Sequence, residues 1–289
     1  MRLKNSKNLK VFKKEIGQGN HFLITILVGL DSVKNGTAIK NEEFRTSWNP
    51  RNVRVSADRS SDFAKKSTLT WVVENLEMYL RMCNEEPKII IDSNIQRQFD
   101  SFGRSVYLKA MTISKHLDIN EINQALVDLT ICWRNKLVHY NAENRIEQKS
   151  YEVLLKIKER ISQEHSGLNI ERIIDSYEKK RVPSFKEVAS MVRASIDFIT
   201  EVDNKLIEQL DILSYSDRII YEYLSADPVT RLNNIYSKDD ATKHRVLRNV
   251  FKEYGFSEEE DNVVDRFIEM LTRLNYASAK RKHMEGSFI

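Results

Sequence analysis

The sequence contains little glycine, proline or cysteine, and these shortages limit the folds it can adopt. Its 289 residues include only 8 glycines and 4 prolines, whereas 30% are charged and 41% are hydrophobic. So few helix-breaking residues among many charged ones predict a mostly helical globular protein, of fold class all-α. The length suits one large domain or two small ones.

Cysteine and clustered glycine are too scarce to indicate a metal or cofactor site. Cys83 and Cys132 are the only cysteines, and both fall on apolar stretches of predicted helices. We interpret them as buried packing thiols in a reducing compartment. No CxxC or HxxxH spacing is present, so no metal is expected. Gly17 and Gly19 lack the third glycine that a dinucleotide-binding loop needs, so no cofactor is expected either.

Long apolar runs are also missing. The longest one, Phe22 to Leu30, is too short to span a bilayer, and no small-residue cleavage site follows it. We therefore expect a cytoplasmic protein without a membrane partner. The stretch from His21 to Leu30 is rich in β-branched residues, and turn-like sequences follow it. We interpret residues 1–57 as an N-terminal extension that is partly extended or contains short strands.

The charge is nearly balanced, with basic clusters near both ends. Lys and Arg total 46 against 42 Asp and Glu, which gives a net charge of +4. The first fourteen residues carry six basic side chains and no acidic one, and Lys280 to His283 form a second basic cluster. Such clusters can hold phosphates, although most are solvated tails, and both interpretations stay open.

A helical period dominates from about residue 58 onward. Apolar residues recur at helical spacing in seven stretches, 69–83, 99–117, 122–140, 151–161, 188–210, 246–254 and 264–274. The short connections between them favour antiparallel neighbours in a helical bundle over residues 58–210. Residues 211–289 then form an extra C-terminal helical section.

The third of these stretches has apolar residues on two opposite faces. At about 100° per residue, Arg134, Asn135 and His139 lie off the main apolar stripe. The face between Arg134 and His139 is apolar and carries Val127, Ile131 and Val138. A helix that is apolar on two faces is usually buried on both. Either another helix of the chain or a second copy of the protein covers this face, and the sequence favours a homodimer through it.

The polar residues of this helix resemble a known signature. The run from Arg134 through Asn135 to His139 resembles the Arg-Asn-x-x-x-His motif of the HEPN superfamily. The resemblance implies a HEPN-like antiparallel bundle that cuts RNA without a metal, commonly as a homodimer with a composite site. It also implies a role in toxin–antitoxin or anti-phage systems, with an inhibitory antitoxin, protein or RNA, as a further partner. Tyrosine modification, known in one subgroup, is not expected, because Tyr140 directly follows the histidine and lies on the core stripe.

The residue types suit RNA cleavage, in which the 2′-OH is the nucleophile. His139 can act as base or acid, since imidazole exchanges its proton near neutral pH. Arg134 can hold two phosphate oxygens and remains charged throughout the reaction. Asn135 can orient either the histidine or the phosphate. One histidine cannot easily fill both proton-transfer roles, whereas two copies across a dimer can.

Other interpretations of these residues remain. Arg134 could form a surface ion pair with Asp128 or Glu143, and His139 could be a helix-end residue whose charge suits the helix dipole. Two glutamates of the first stretch could orient the site, although an exposed-face role is favoured for them; they are Glu74 and Glu77. The alternative function is a non-catalytic helical subunit that binds RNA or protein in a defence complex.

Overall fold

The computed structural model describes residues 1–41, 43–45, 47–139 and 145–289, and in these residues the protein is all-helical apart from one short strand pair. The strands are β1 (Arg2–Leu3) and β2 (Phe256–Ser257), which pair antiparallel. The helices are α1 (Lys7–Lys34), α2 (Val53–Cys83), α3 (Ser93–Ser101), α4 (Val106–Leu117), α5 (Glu121–Val138), α6 (Gln148–Lys156), α7 (Lys158–Glu164), α8 (Ile170–Glu178), α9 (Phe185–Glu208), α10 (Ile212–Ser225), α11 (Pro228–Tyr236), α12 (Asp240–Glu253), α13 (Asn262–Thr272) and α14 (Tyr276–Glu285).

The chain forms two compact units that each combine distant segments. The first unit consists of Met1–Val11, Met78–Gly103 and Thr200–Ile289, and the second consists of Phe12–Glu77 and Arg104–Ile199. Neither unit coincides with the consecutive segments 1–57, 58–210 and 211–289 expected from the sequence. The second unit holds the whole of α5 and therefore the Arg–Asn–His run.

Helix α5 lies at the centre of the second unit's core. It begins where the Asn120 side chain accepts a hydrogen bond from the backbone N–H of Ile122, at 2.9 Å. Its apolar stripe packs with α2, α6, α8 and α9, and Trp133 is fully buried in this cluster. A rigid, buried helix of this kind fixes the position of the side chains at its C-terminal end.

The expectation for the N-terminal section was wrong for most of its length. The stretch from His21 to Leu30 is the interior of α1 rather than an extended segment. β-Branched residues lower helix stability by only a fraction of a kcal/mol each, and no proline interrupts the stretch. Their weak preference for a strand was therefore not enough to prevent a helix. Residues 1–6, which include β1, and the described part of residues 35–52 match the expected non-helical character.

The structure divides one predicted helix into two, and it confirms the prediction for the cysteines. The stretch 99–117 divides at Gly103, which adopts a φ of +55° that favours glycine, and α4 restarts after Ser105. Cys83 and Cys132 are buried and free, as expected. In the described residues, every helix is too short or too polar to cross a membrane.

Candidate active site

The Arg134 side chain is largely buried and already has two partners. Its side chain is 12% exposed, and its Nη2 forms an ion pair with Glu74 of α2, whose side chain is 59% exposed. Its Nη1 donates a hydrogen bond to Oδ1 of Asn135 at 2.9 Å. Its Nε is buried and has no hydrogen-bond partner within the part of the chain that the structure describes. A buried N–H without an acceptor costs free energy, so an oxygen that reached this atom would stabilise it.

His139 lies where α5 ends rather than within the helix. Its backbone is extended, with φ −107° and ψ 114°, and its N–H donates to the Asn135 carbonyl oxygen at 2.9 Å. The residue is exposed to solvent. The expected helical neighbours Asn135 and His139 are therefore joined through backbone atoms, and the side chain of His139 leaves the helical path.

The second apolar face of α5 is covered mainly by its own chain. Val127 and Ile131 are fully buried, whereas Val138 is 47% exposed. The prediction that something covers this face is thus confirmed for the first two residues. The prediction of a dimer through all three is wrong in that respect, because a second copy can reach only Val138.

Asp128 has partners other than Arg134. Its carboxylate accepts hydrogen bonds from Cys132 Sγ at 3.3 Å and from the backbone N–H of Glu147 at 2.9 Å. Burial raises the pKa of Asp128, and the Glu147 amide opposes this rise. The residue therefore anchors the chain that follows the motif to α5. The other proposed partner of Arg134, Glu143, lies outside the described residues, as does Tyr140.

Basic side chains gather beside the C-terminal half of α5. The Nζ of Lys136 lies 3.7 Å from the centre of the Tyr177 ring. Burial lowers the pKa of Lys136, and the nearby charges of Lys180 and Arg145 lower it further, against the effect of Glu178. We call Lys136, Arg145 and Lys180 the basic strip. Among the described residues, neither Arg145 nor Lys180 forms an ion pair, so both charges are open to an anion.

The turn that carries Lys180 is attached directly to α5. The indole Nε1 of Trp133 donates a hydrogen bond to the carbonyl oxygen of Arg181 at 3.0 Å. Lys180 adopts a φ of +52°, which is uncommon for a residue with a side chain. Lys179 and Arg181 on either side pair with Asp175. The unpaired lysine is therefore held between two neutralised neighbours.

The motif therefore consists of a partly satisfied arginine, a polar orienting group and an exposed imidazole at one helix end. Such a set can hold a phosphate and exchange protons with it, which are the two tasks that RNA cleavage requires. Within the described residues, no three His, Cys, Asp or Glu side chains are grouped so as to hold a metal ion.

Part of this environment could not be predicted from the sequence. Glu74 was favoured as an exposed-face residue, but it is both exposed and paired with the motif arginine. Glu77, considered alongside it, pairs instead with Lys109 at 2.9 Å. The basic strip was not identified, although three consecutive basic residues, 179–181, before a proline are a signal for a basic turn. Tyr177 gave no such signal, since its contact with Lys136 depends on tertiary packing.

Comparisons with family models, with curated proteins and with solved structures found no match to this chain. Any assignment of function therefore depends on the chemistry of the residues described above and on the resemblance carried by the motif on α5.

Proposed function

We propose that this protein is a metal-independent endoribonuclease of the HEPN type, acting in a toxin or anti-phage defence system. The observation that carries the proposal is the state of Arg134, whose guanidinium is held by Glu74 and Asn135 while its buried Nε has no acceptor. A phosphate oxygen is a suitable acceptor for that N–H. The exposed His139 lies at the end of the same helix.

In the proposed reaction the RNA 2′-oxygen attacks the adjacent phosphorus while the bond from phosphorus to the 5′-oxygen breaks. The 2′-OH proton passes to His139, and the departing 5′-oxygen takes a proton from His139 of a second copy. Arg134 neutralises the charge that develops on the phosphorane, and Asn135 keeps the guanidinium oriented. The products are a 2′,3′-cyclic phosphate and a free 5′-OH.

The basic strip supports RNA as the substrate. Lys180 and Arg145 carry charges without an ion-pair partner among the described residues, and they lie near Lys136 on the helix that bears the motif. Phosphates on either side of the cleaved bond can be neutralised by such charges, with release of counterions. A single-stranded RNA suits this arrangement, because its backbone can follow a curved line of cations.

The second candidate function is a non-catalytic subunit that binds RNA or protein. The ion pair between Glu74 and Arg134 favours it, since a structural arginine is also buried and paired. The exposure of Val138 and His139 favours the enzyme, because the C-terminal end of the motif is open to a substrate.

The proposal is tested by incubating purified full-length protein with total RNA, with and without EDTA. We expect cleavage in both conditions, with 2′,3′-cyclic phosphate ends, and its loss in His139→Ala. His116→Ala is the matched control, because His116 is likewise an exposed histidine near the C-terminal end of a helix, α4. Activity that EDTA removes and Mg²⁺ restores contradicts the mechanism, as does cleavage by His139→Ala at the wild-type rate. RNA binding without cleavage supports the second candidate.

A further inference from the structure

One side of helix α2 leads along the second unit to the pair formed by Glu74 and Arg134. At about 100° per residue, this side is made of the residues within about 60° of Glu74 around the helix axis. We call them the α2 track, and they are Val53, Ser56, Arg59, Ser60, Phe63, Ser67, Thr70 and Trp71. Every one of these residues is exposed or half-buried. Each lies three or four positions from the next, so the track is one contiguous surface.

The first half of the α2 track borders a groove of about 480 Å³, which is also lined by Arg51, just before the helix. Phe63 lines the same groove and is 73% exposed. Within the residues that the structure describes, neither Arg51 nor Arg59 forms an ion pair, and both are exposed. Two open guanidinium groups beside a bare aromatic ring suit a ligand that carries both phosphates and flat bases.

The acidic residues of this stretch lie away from the α2 track. Asp58 and Asp62 are about 160° and 120° from Glu74 around the helix axis. Both are already neutralised, Asp58 by Lys34 and Asp62 by Lys65. No other acidic residue occurs between residues 53 and 73. The track therefore carries only positive charge until it reaches Glu74, which favours an anionic ligand.

The second aromatic side chain of the track is held in place beside the motif. The Nε1 of Trp71 donates a hydrogen bond to the Glu15 carbonyl oxygen of α1 at 3.1 Å. Gly19 lies against the indole, where an added Cβ would come within 2.5 Å of the ring, so only glycine allows that approach. The tryptophan is nevertheless 42% exposed. A ring that is already fixed loses little freedom when a base stacks on it.

Helix α2 also sets the distance between the groove and the motif. Arg59 precedes Glu74 by 15 positions, which is about 22 Å at 1.5 Å per residue. Stacked nucleotides in one strand advance about 3.4 Å each, so this interval corresponds to roughly six or seven nucleotides. A strand with one phosphate at Arg134 therefore has to extend that far to reach Arg59.

We propose that the α2 track binds an unpaired stretch of the RNA whose cleaved phosphate lies at Arg134. Phe63 and Trp71 stack on bases, and Arg59 holds a phosphate between them and the groove. This inference rests on the proposed function and adds to it a second site, which selects single-stranded RNA of sufficient length. A duplex does not fit the track, because its bases are stacked on one another and their faces are closed to the two rings.

The first test measures fluorescence anisotropy of a 2′-O-methyl oligouridine of about 12 nucleotides, with Phe63→Ala compared with Phe185→Ala. Phe185 is 43% exposed and borders a different groove, beside Ala57 and Ser61 of α2. Those two residues lie about 100° and 140° from Glu74, so this groove is off the track. We expect Phe63→Ala to bind about 5-fold to 100-fold more weakly, because it loses a stacking partner, and Phe185→Ala to bind like wild type.

The second test compares Arg59→Gln with Arg54→Gln. Both are exposed arginines of α2 without an ion pair among the described residues, but Arg54 lies about 160° from Glu74. We expect Arg59→Gln to reduce the slope of log affinity against log salt by about 0.7, and Arg54→Gln to leave it unchanged. Wild type should bind the longer strand about 10-fold more tightly than one of about five nucleotides, and Arg59→Gln should reduce that ratio.

The 2′-O-methyl strand cannot be cut, so these results do not depend on catalysis. Equal affinities of Phe63→Ala and Phe185→Ala overturn the proposal, as does a duplex of the same length that binds as tightly as the single strand. Cleavage that His139→Ala abolishes, with wild-type binding and cleavage by Phe63→Ala, removes the α2 track and keeps the proposed function. Weaker binding by Phe63→Ala in a protein that does not cut RNA supports the track and removes the enzyme.

Discussion

Replacing Glu74 by Gln should strengthen RNA binding while leaving the fold nearly unchanged. Glu74 neutralises Arg134, so a phosphate that approaches the guanidinium meets a carboxylate on the same group. A phosphate oxygen on the far side of the guanidinium lies about 6 Å from that carboxylate. At an effective dielectric constant between about 20 and 80, the repulsion at that distance is roughly 0.7–3 kcal/mol. Its removal corresponds to a gain of about 3-fold to 100-fold in affinity.

The exposure of Glu74 narrows the expected range of the gain in affinity. Its carboxylate is 59% exposed and is screened by water and salt, so the gain should lie near the lower limit at physiological ionic strength. Glutamine keeps an oxygen that can accept a hydrogen bond from the buried Arg134, so the structural cost is limited to the loss of charge on an exposed carboxylate. The variant thus separates an effect on phosphate binding from an effect on stability.

The assay is fluorescence anisotropy with a 2′-O-methyl RNA, which lacks the nucleophile and is not cut. Glu85→Gln is the matched control, because Glu85 is 54% exposed and also pairs with an arginine, Arg81, that is not part of the motif. We expect tighter binding for Glu74→Gln, with the difference growing at low salt, and no change for the control. Equal or weaker binding by Glu74→Gln would refute the role of Arg134 in holding a phosphate.

Four further predictions concern the same unit. Arg134→Lys should lower the cleavage rate by about 100-fold or more, measured with labelled RNA, because lysine keeps the charge but loses the planar pair of donors. Lys180→Glu should weaken RNA binding and reduce the slope of log affinity against log salt by about one, whereas unchanged salt dependence would remove the basic strip from the binding surface. Trp133→Phe should lower the free energy of unfolding in urea by about 2 kcal/mol, since it removes a buried hydrogen bond and leaves a small cavity. Burial lowers the pKa of His165, so protonation of this side chain favours the unfolded state. The free energy of unfolding should therefore fall as the pH drops below about 6.5, and it should fall less in His165→Gln. The same pH dependence in wild type and His165→Gln would contradict this prediction.

The sequence predicted the central helices well because their apolar periods are long and regular. The stripe from Ile122 onward specified α5, and the stripe from Leu69 specified much of α2. The His21–Leu30 stretch was misread, since a short run that is apolar at nearly every position carries no period to distinguish a helix from a strand. The length of the surrounding segment was a better indication of a helix, because no proline interrupts the chain from Lys7 to Lys34.

The motif residues could be placed on a helix from the sequence, but their partners could not. The pairing of Glu74 with Arg134 joins residues 60 positions apart, and no periodicity encodes that distance. The sequence also did not indicate that α5 ends at Val138. His139 was therefore expected within the helix, whereas it directly follows the last helical residue. A helix boundary depends on capping and on tertiary contacts, and neither follows a regular sequence period.

The pairing of β1 with β2 has a consequence for the order of events during synthesis. Arg2 bonds to Ser257, 255 residues later, so β1 has no strand partner until residue 257 has been translated. At about 5–20 residues per second, this wait lasts on the order of 10–50 seconds. The segments that form the unit with the motif have all been translated by residue 199. The unit that carries the motif can therefore be assembled before β2, the partner of β1 in the other unit, has been translated.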